Sequence, residues 1–442
     1  MKKLLTLPNV MHLWLFCVIA NSYVAIVAQP LLLLAIVPAF LFLNVLAGIW
    51  EPETDSKRLK FCHHGGVLLF LFAASLIPSV IYHIVLASVT WDGQIKTFIF
   101  SALFCICAEA IVFWNGILCV YCTSRQMGVK WRVIGALCGM IPVLNLIVLH
   151  KILRTVMDEV AFETQKQQTD IERQEQRICD TKYPILLVHG VFFRDSRYFN
   201  YWGRIPGALQ ANGARVYYGE HSSARPVAES AQEIAERIRE IVTQQGCEKV
   251  NIIAHSKGGL DCRYALSQLS MAPYVASLTT INTPHRGCLF ADRLLDAAPE
   301  KLKQGVANTY NATLRRLGDR EPDFLCAVGD LTHAACERLN EQLTPPRGVF
   351  CQSVGSKLNR ASNGQFPLNV SYQLVKHFDG DNDGLVGAES FSWGEKYTFV
   401  TVSGKRGVSH GDMIDLNREN IKDFDVREFY VSLVQDLKEQ GL

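Results

Sequence analysis

Four stretches near the start of the chain, residues 8 to about 50, 65 to 90, 97 to 122 and 132 to 150, are almost free of charge. A bilayer crossing takes about 20 apolar residues, so each stretch is long enough for one or two passes. This restricts the fold more than any other feature, because backbone surrounded by lipid must satisfy its own hydrogen bonds and therefore coils into helices. A secretory signal would account for Lys2, Lys3 and the first apolar run, but not for the hundred residues that follow. The sequence thus predicts an all-α polytopic transmembrane domain over residues 1–154, with four or five spans in the cell membrane. The 442-residue length and 49% hydrophobic content agree with a membrane part joined to a soluble one.

The basic residues report topology rather than a nucleic-acid surface, since the net charge is only +2 and no Lys/Arg-rich tract occurs. Lys2 and Lys3, then Lys57, Arg58 and Lys60, then Arg125, Lys130 and Arg132 share one side if residues 8 to 50 form a hairpin turning near Gln29-Pro30. The 90 to 96 connection carries only Lys96, so the positive-inside bias puts the N-terminus in the cytoplasm. The last span holds Pro142 and Asn145 at its middle, so it either crosses or lies as a broken interfacial element. Five crossings place the C-terminal domain on the extracytoplasmic face. Cysteine usage pulls the other way: of 14, those beyond residue 160 are odd in number and form no CxxC pair, the pattern of free thiols on a reducing side.

Residues 155 to 180 turn abruptly charged and Gln-rich and read as a polar helical linker, with the second domain over 181–442. There, short β-branched runs alternate with amphipathic stretches: ILLV (185–188), RVYY (215–218), KVNIIA (249–254), VASLTTIN (275–282), VFCQSV (349–354) and YTFVTV (397–402), with a closing helix over 424 to 439. Such alternation calls for βαβ units and a mostly parallel sheet covered on both faces. A mostly helical insertion at 290–346 is placed to form a cap over the carboxyl edge.

One motif in that domain carries chemistry. Ala254-His255-Ser256-Lys257-Gly258 follows a strand and opens a helix, matching G-x-S-x-G with Ala in the first position. The flanking residues must be small because strand and helix backbones nearly touch at such a turn. A surface serine beside two glycines is the bland reading. A nucleophile needs partners in the order serine, acid, histidine. After His377 the remaining histidine is His410, just beyond the last predicted strand. The loop HFDGDNDGLVG offers Asp379, Asp381 and Asp383 as the acid, and spacing does not choose among them. EF-hand spacing begins well there, with Asp379, Asp381 and Asp383 at positions 1, 3 and 5, but fails at the twelfth, where Ser390 stands in place of a bidentate Glu. His189-Gly190 ends the first strand, which nominates the N–H groups of Val191 and Lys257 as oxyanion donors.

These residues resemble the bacterial true lipases of the α/β-hydrolase fold, typified by the Pseudomonas and Burkholderia enzymes. The likeness runs through ILLVHG, YWGRIPGALQANGARVYYGE, KVNIIAHSKGG and SLTTINTPHRGCLFAD, and returns at NDGLVG (382–387) and SHGDMID (409–415). It implies Ser256 as nucleophile, Asp383 as acid, His410 as base, and Val191 and Lys257 as oxyanion donors. Those lipases hold a structural calcium near the catalytic histidine, and Asp412 matches one of its ligands. The partner aspartate has no counterpart, since residues 360 to 376 contain none. The resemblance does not reach residues 1 to 160.

The expectation is a membrane-anchored serine carboxylester hydrolase acting on acyl esters of lipids through an acyl-enzyme, with no cofactor required. Two rivals stand beside it. An acyltransferase would use the same triad with another acceptor, separable by product analysis with competing alcohols. A non-catalytic lipid-binding or scaffold module on a membrane protein whose function lies in its spans would need charged residues lining a path, and the spans hold little beyond Glu109.

Overall fold

A computed structural model of the protein describes residues 4–90, 94–139, 141, 143–191, 200–222, 224–297, 299–316, 322–364 and 368–442. Lys2, Lys3 and Pro142, on which part of the topology argument rests, lie outside them. The chain divides into two compact units, Met1–Glu172 and Arg173–Leu442.

The first unit is helical throughout its regular elements. Two helices, Lys57–Thr90 and Ile95–Thr123, are long and apolar enough to cross a membrane, each with a mean hydropathy of 2.1. Leu7–Ala20 and Leu33–Leu46 have 14 residues each. At 1.5 Å per residue they reach about 21 Å, short of the ~30 Å hydrocarbon core. Any count above two therefore rests on these shorter helices and on Gly128–Cys138 and the start of Leu144–Arg173. Small residues let the two long helices approach: a Cβ added at Gly65 would lie 2.7 Å from Cys119 Cβ, and one at Gly116 would lie 2.9 Å from Leu69 Cγ. Glu159 closes the end of Ile95–Thr123. Its buried carboxylate accepts from Arg58 Nη1 and Ser124 Oγ at 2.6 Å and from the N–H groups of Arg125 and Gln126 at 3.1 Å.

The second unit is built on strands β1 (Ile185–Val188), β2 (Val216–Tyr218), β3 (Val250–His255), β4 (Val275–Ile281), β5 (Phe350–Ser356) and β6 (Lys396–Val400). Among the described residues they form one sheet in the order β2-β1-β3-β4-β5-β6, every pair parallel. A parallel sheet must be covered on both faces, and β1, β3 and β4 are buried at every position. One face packs against Ile205–Ala211 and Val426–Glu439 through Trp202, Leu209, Tyr430 and Val434. The other packs against Val227–Gln245 and Lys257–Gln268. The Val227–Gln245 helix buries Ala231, Ile234, Ile238 and Ile241, a three-to-four spacing that makes one apolar stripe. It stops at Gly246, whose φ of 59° ends the last turn in the left-handed region.

Every strand expected from the sequence is present, with ends shifted by at most two residues. Between β4 and β5 stand the helices Leu289–Ala297, Glu300–Arg316, Phe324–Gly329 and His333–Gln342, in the stretch read from the sequence as a mostly helical insertion. The chain passes from β1 to β2 on one side and then to β3 on the other. The carboxyl ends of β1 and β3 therefore flank the switch point where open parallel sheets bind ligands.

Candidate active site

Ser256 stands between the last residue of β3 and the first of Lys257–Gln268, the elbow helix, with φ 55° and ψ −131°. That region is strained for a side-chain-bearing residue and costs about 1–3 kcal/mol. Its neighbours are small for a reason visible in the geometry. A Cβ at Gly190 would fall 2.8 Å from Ser256 Cβ, and one at Gly258 would strike the His189 carbonyl. The end of β1 is thereby pressed against the serine from one side and against the elbow helix from the other.

Val191, the next residue along, is buried, and Lys257 is the first residue of the elbow helix. The first N–H groups of a helix have no acceptor within it, so the Lys257 N–H is free to serve an incoming oxygen. Lys257 follows the serine directly, and Val191 follows Gly190, whose added Cβ would meet Ser256 Cβ.

The three candidate aspartates are separated by what they bond. Asp379 caps the cap: its carboxylate accepts from Leu289 N and Phe290 N at 3.0 Å. Asp381 pairs with Lys357 at 2.6 Å near the surface. Asp383 is fully buried and accepts from His410 Nδ1 at 2.6 Å, from Leu385 N at 2.9 Å and from Val386 N at 2.8 Å. A carboxylate only accepts, so Nδ1 carries the proton and Nε2 is left as the base. The His410 N–H also donates to the Asp383 carbonyl at 2.9 Å, which fixes the ring's backbone against its partner.

Two groups that sequence reasoning missed complete the constellation. Asn282 Nδ2 donates to Asp383 Oδ2 at 2.6 Å and to Ser356 Oγ at 2.8 Å. The residue before it, Ile281, accepts the Ser256 N–H at 2.9 Å, so acid and serine are tied through two consecutive residues at the end of β4. The signal was a polar residue closing an apolar run at the carboxyl edge. His255 has its ring 4.5 Å from that of His410 and bonds Tyr201 Oη at 2.7 Å. Burial, and then the nearby charge of His410, hold its pKa well below the usual 6.5. A neutral ring thus lies between the serine's strand and the base.

Asp412 does not fit the calcium role. Arg406 Nη1 and Nη2 reach its two oxygens at 3.0 and 3.1 Å, and Ser409 N donates at 2.8 Å. A guanidinium occupies the face a cation would need. No cluster of three or more His, Cys, Asp or Glu suited to a metal occurs among the described residues. The loop carrying His410 is held instead by this ion pair and by Arg204, which grips Asp415 through Nε and Nη2 at 2.7 and 2.8 Å.

Comparison with known proteins bears on the fold that carries this site. The α/β-hydrolase fold model matches residues 183–403. A triacylglycerol lipase of Pseudarthrobacter phenanthrenivorans is 36% identical over 183 residues, 38% of this chain and 56% of that protein. One from Burkholderia plantarii is also 36% identical over 183 residues, covering 50% of its length. The chain thus spans about half the length of these two relatives. A triacylglycerol lipase of Pseudomonas fragi is 30% identical over 296 residues, 60% of this chain and 98% of that protein.

Proposed function

The chain belongs to the α/β-hydrolase fold family, and on that premise we propose that it is a serine carboxylester hydrolase acting on membrane lipids, with Ser256, His410 and Asp383 as its triad. The observation that carries the reading is the Asp383–His410 pair, whose imidazole lies 4.5 Å from the ring of His255, the residue just before a serine held at φ 55° on a strand-to-helix turn.

His410 Nε2 takes the Ser256 proton while Oγ attacks the acyl carbonyl, and the N–H groups of Val191 and Lys257 receive the oxyanion charge. The ester C–O bond breaks as His410 returns that proton to the departing alcohol. Water then attacks the acyl-enzyme, giving its proton to His410, and the acid leaves as Oγ is reprotonated. Asp383 keeps the ring oriented and offsets the imidazolium charge. Loss of either oxyanion donor should cost about 3 kcal/mol of transition-state stabilisation.

A lipid substrate is supported from two sides: the relatives named above are triacylglycerol lipases, and two helices of the first unit are long and apolar enough to cross a membrane. A catalytic unit tethered by such helices would meet membrane esters at high effective concentration. The test is labelling of the whole protein with a fluorophosphonate probe alongside turnover of p-nitrophenyl butyrate. Both should vanish in Ser256→Ala, and turnover at the wild-type rate by that variant would end the assignment.

A further inference from the structure

We propose that Asp261 and His221 are positioning residues that hold the two oxyanion donors from behind, acting through the buried side chain of Lys257. This rests on the hydrolase reading above and adds a device to it. Lys257 offers its N–H to the site, but its side chain runs back into the protein and is 1% exposed. Its Nζ donates to Asp261 Oδ1 at 2.7 Å, one turn along the elbow helix, and to Ser230 Oγ at 3.1 Å on the Val227–Gln245 helix. An ammonium removed from water in this way is tolerated only because it is paired, and an apolar side chain would fill the same space without the desolvation penalty. The pair therefore calls for a role besides packing.

Its connections point to one. Asp261 Oδ2 faces His221 Nε2 at 4.0 Å. The His221 ring stacks on that of His189, with centroids 3.9 Å apart and planes 12° from parallel. His189 Nε2 bonds the His221 carbonyl at 3.1 Å, and two residues after His189 comes Val191, the second donor. A continuous buried chain, Lys257 to Asp261 to His221 to His189, thus runs from the side chain of one expected oxyanion donor to a residue two positions before the other.

Other charges also face it. Besides Lys257 on its own helix and His221 from the loop after β2, Glu233 comes from the Val227–Gln245 helix and Asp330 from the cap. Burial pushes the Asp261 carboxyl up to about 7, against the pull of Lys257 and with help from Asp330 and Glu233. Protonating Asp261 would release Lys257, and with it the alignment of the elbow helix's first N–H.

The experiment compares wild type, Asp261→Asn and the apolar pair Lys257→Met/Asp261→Leu, with p-nitrophenyl butyrate as substrate and a fluorophosphonate as transition-state mimic. We expect both variants to lose at least tenfold in kcat with KM within twofold of wild type, and the phosphonylation rate to fall in step. The apolar pair should melt within a few degrees of wild type. The acid limb of the wild-type kcat profile should be steeper than one proton, and that of Asp261→Asn should fall to one. An apolar pair that melts like wild type and keeps its kcat would overturn the inference. If that variant does not fold, an Asp261→Asn acid limb superimposable on the wild-type one would overturn it equally. Wild-type protein that the phosphonate does not label would instead remove the hydrolase reading itself.

Discussion

Ser256 is held where an L-residue rarely sits, and the strain has a measurable consequence. Glycine at that position would adopt φ 55° and ψ −131° freely. Set against glycine's larger entropy loss on folding, Ser256→Gly should raise stability by about 1 kcal/mol while abolishing turnover. Chemical denaturation checks it, and a variant less stable than wild type would mean the turn is not strained. The serine was legible in the sequence because strand, small flanks and helix had to coincide there. His410 was legible because chain order left one histidine in place. The acid was not fixed by spacing, since Asp379, Asp381 and Asp383 share one loop and differ only in partners brought from afar: Leu289, Lys357 and His410. Asn282 escaped notice for the same reason, its function lying in a contact with Asp383 across 101 residues of sequence.

Between residues and fold stand the elements that carry them. The strands were readable because buried parallel strands are continuous β-branched runs, and these do not depend on partners. The loop after β6 was not readable, because its support comes from Arg204 and Arg406 rather than from any local pattern. Asp412 matched a calcium position in the resemblance, and only the structure reveals a guanidinium against both its oxygens. Activity should therefore survive dialysis against EDTA unchanged. Arg406→Met should lower stability by roughly 2 kcal/mol, leaving the Asp412 carboxylate without its cation. It should also reduce kcat through a loosened His410. Inactivation by EDTA with recovery on added calcium would contradict this reading.

At the scale of the molecule, the sequence announced two bodies through their contrast in charge, and the chain does divide near that change, at Glu172. The number of crossings was less legible, because apolar composition does not tell a 14-residue helix from one twice that length. For the Arg173–Leu442 unit, pH dependence follows from three buried groups. His255 and His285 are held well below 6.5, chiefly by burial, so below that pH unfolding takes up about two protons the native state refuses. Asp261, raised to about 7, is protonated in the native state and releases one proton on unfolding until pH nears 3.8. The two histidines outweigh the one carboxyl, so unfolding takes up protons on balance below about 6.5, and stability is full near neutrality and falls on acidification. Urea midpoints at pH 7 and 5.5 would test the sign, and a higher midpoint at pH 5.5 would refute it. The division itself yields the last expectation. If the first unit acts as a tether, it contributes nothing to the chemistry at Ser256 and everything to the local concentration of ester. Residues 173–442 expressed alone should then hydrolyse p-nitrophenyl butyrate within about twofold of the whole chain. On triacylglycerol in phospholipid vesicles the same piece should fall behind by about a hundredfold or more, the range that tethering alone confers. Equal rates on vesicles would deny the first unit that role, and loss of the soluble-ester activity would mean that the catalytic fold needs residues before 173.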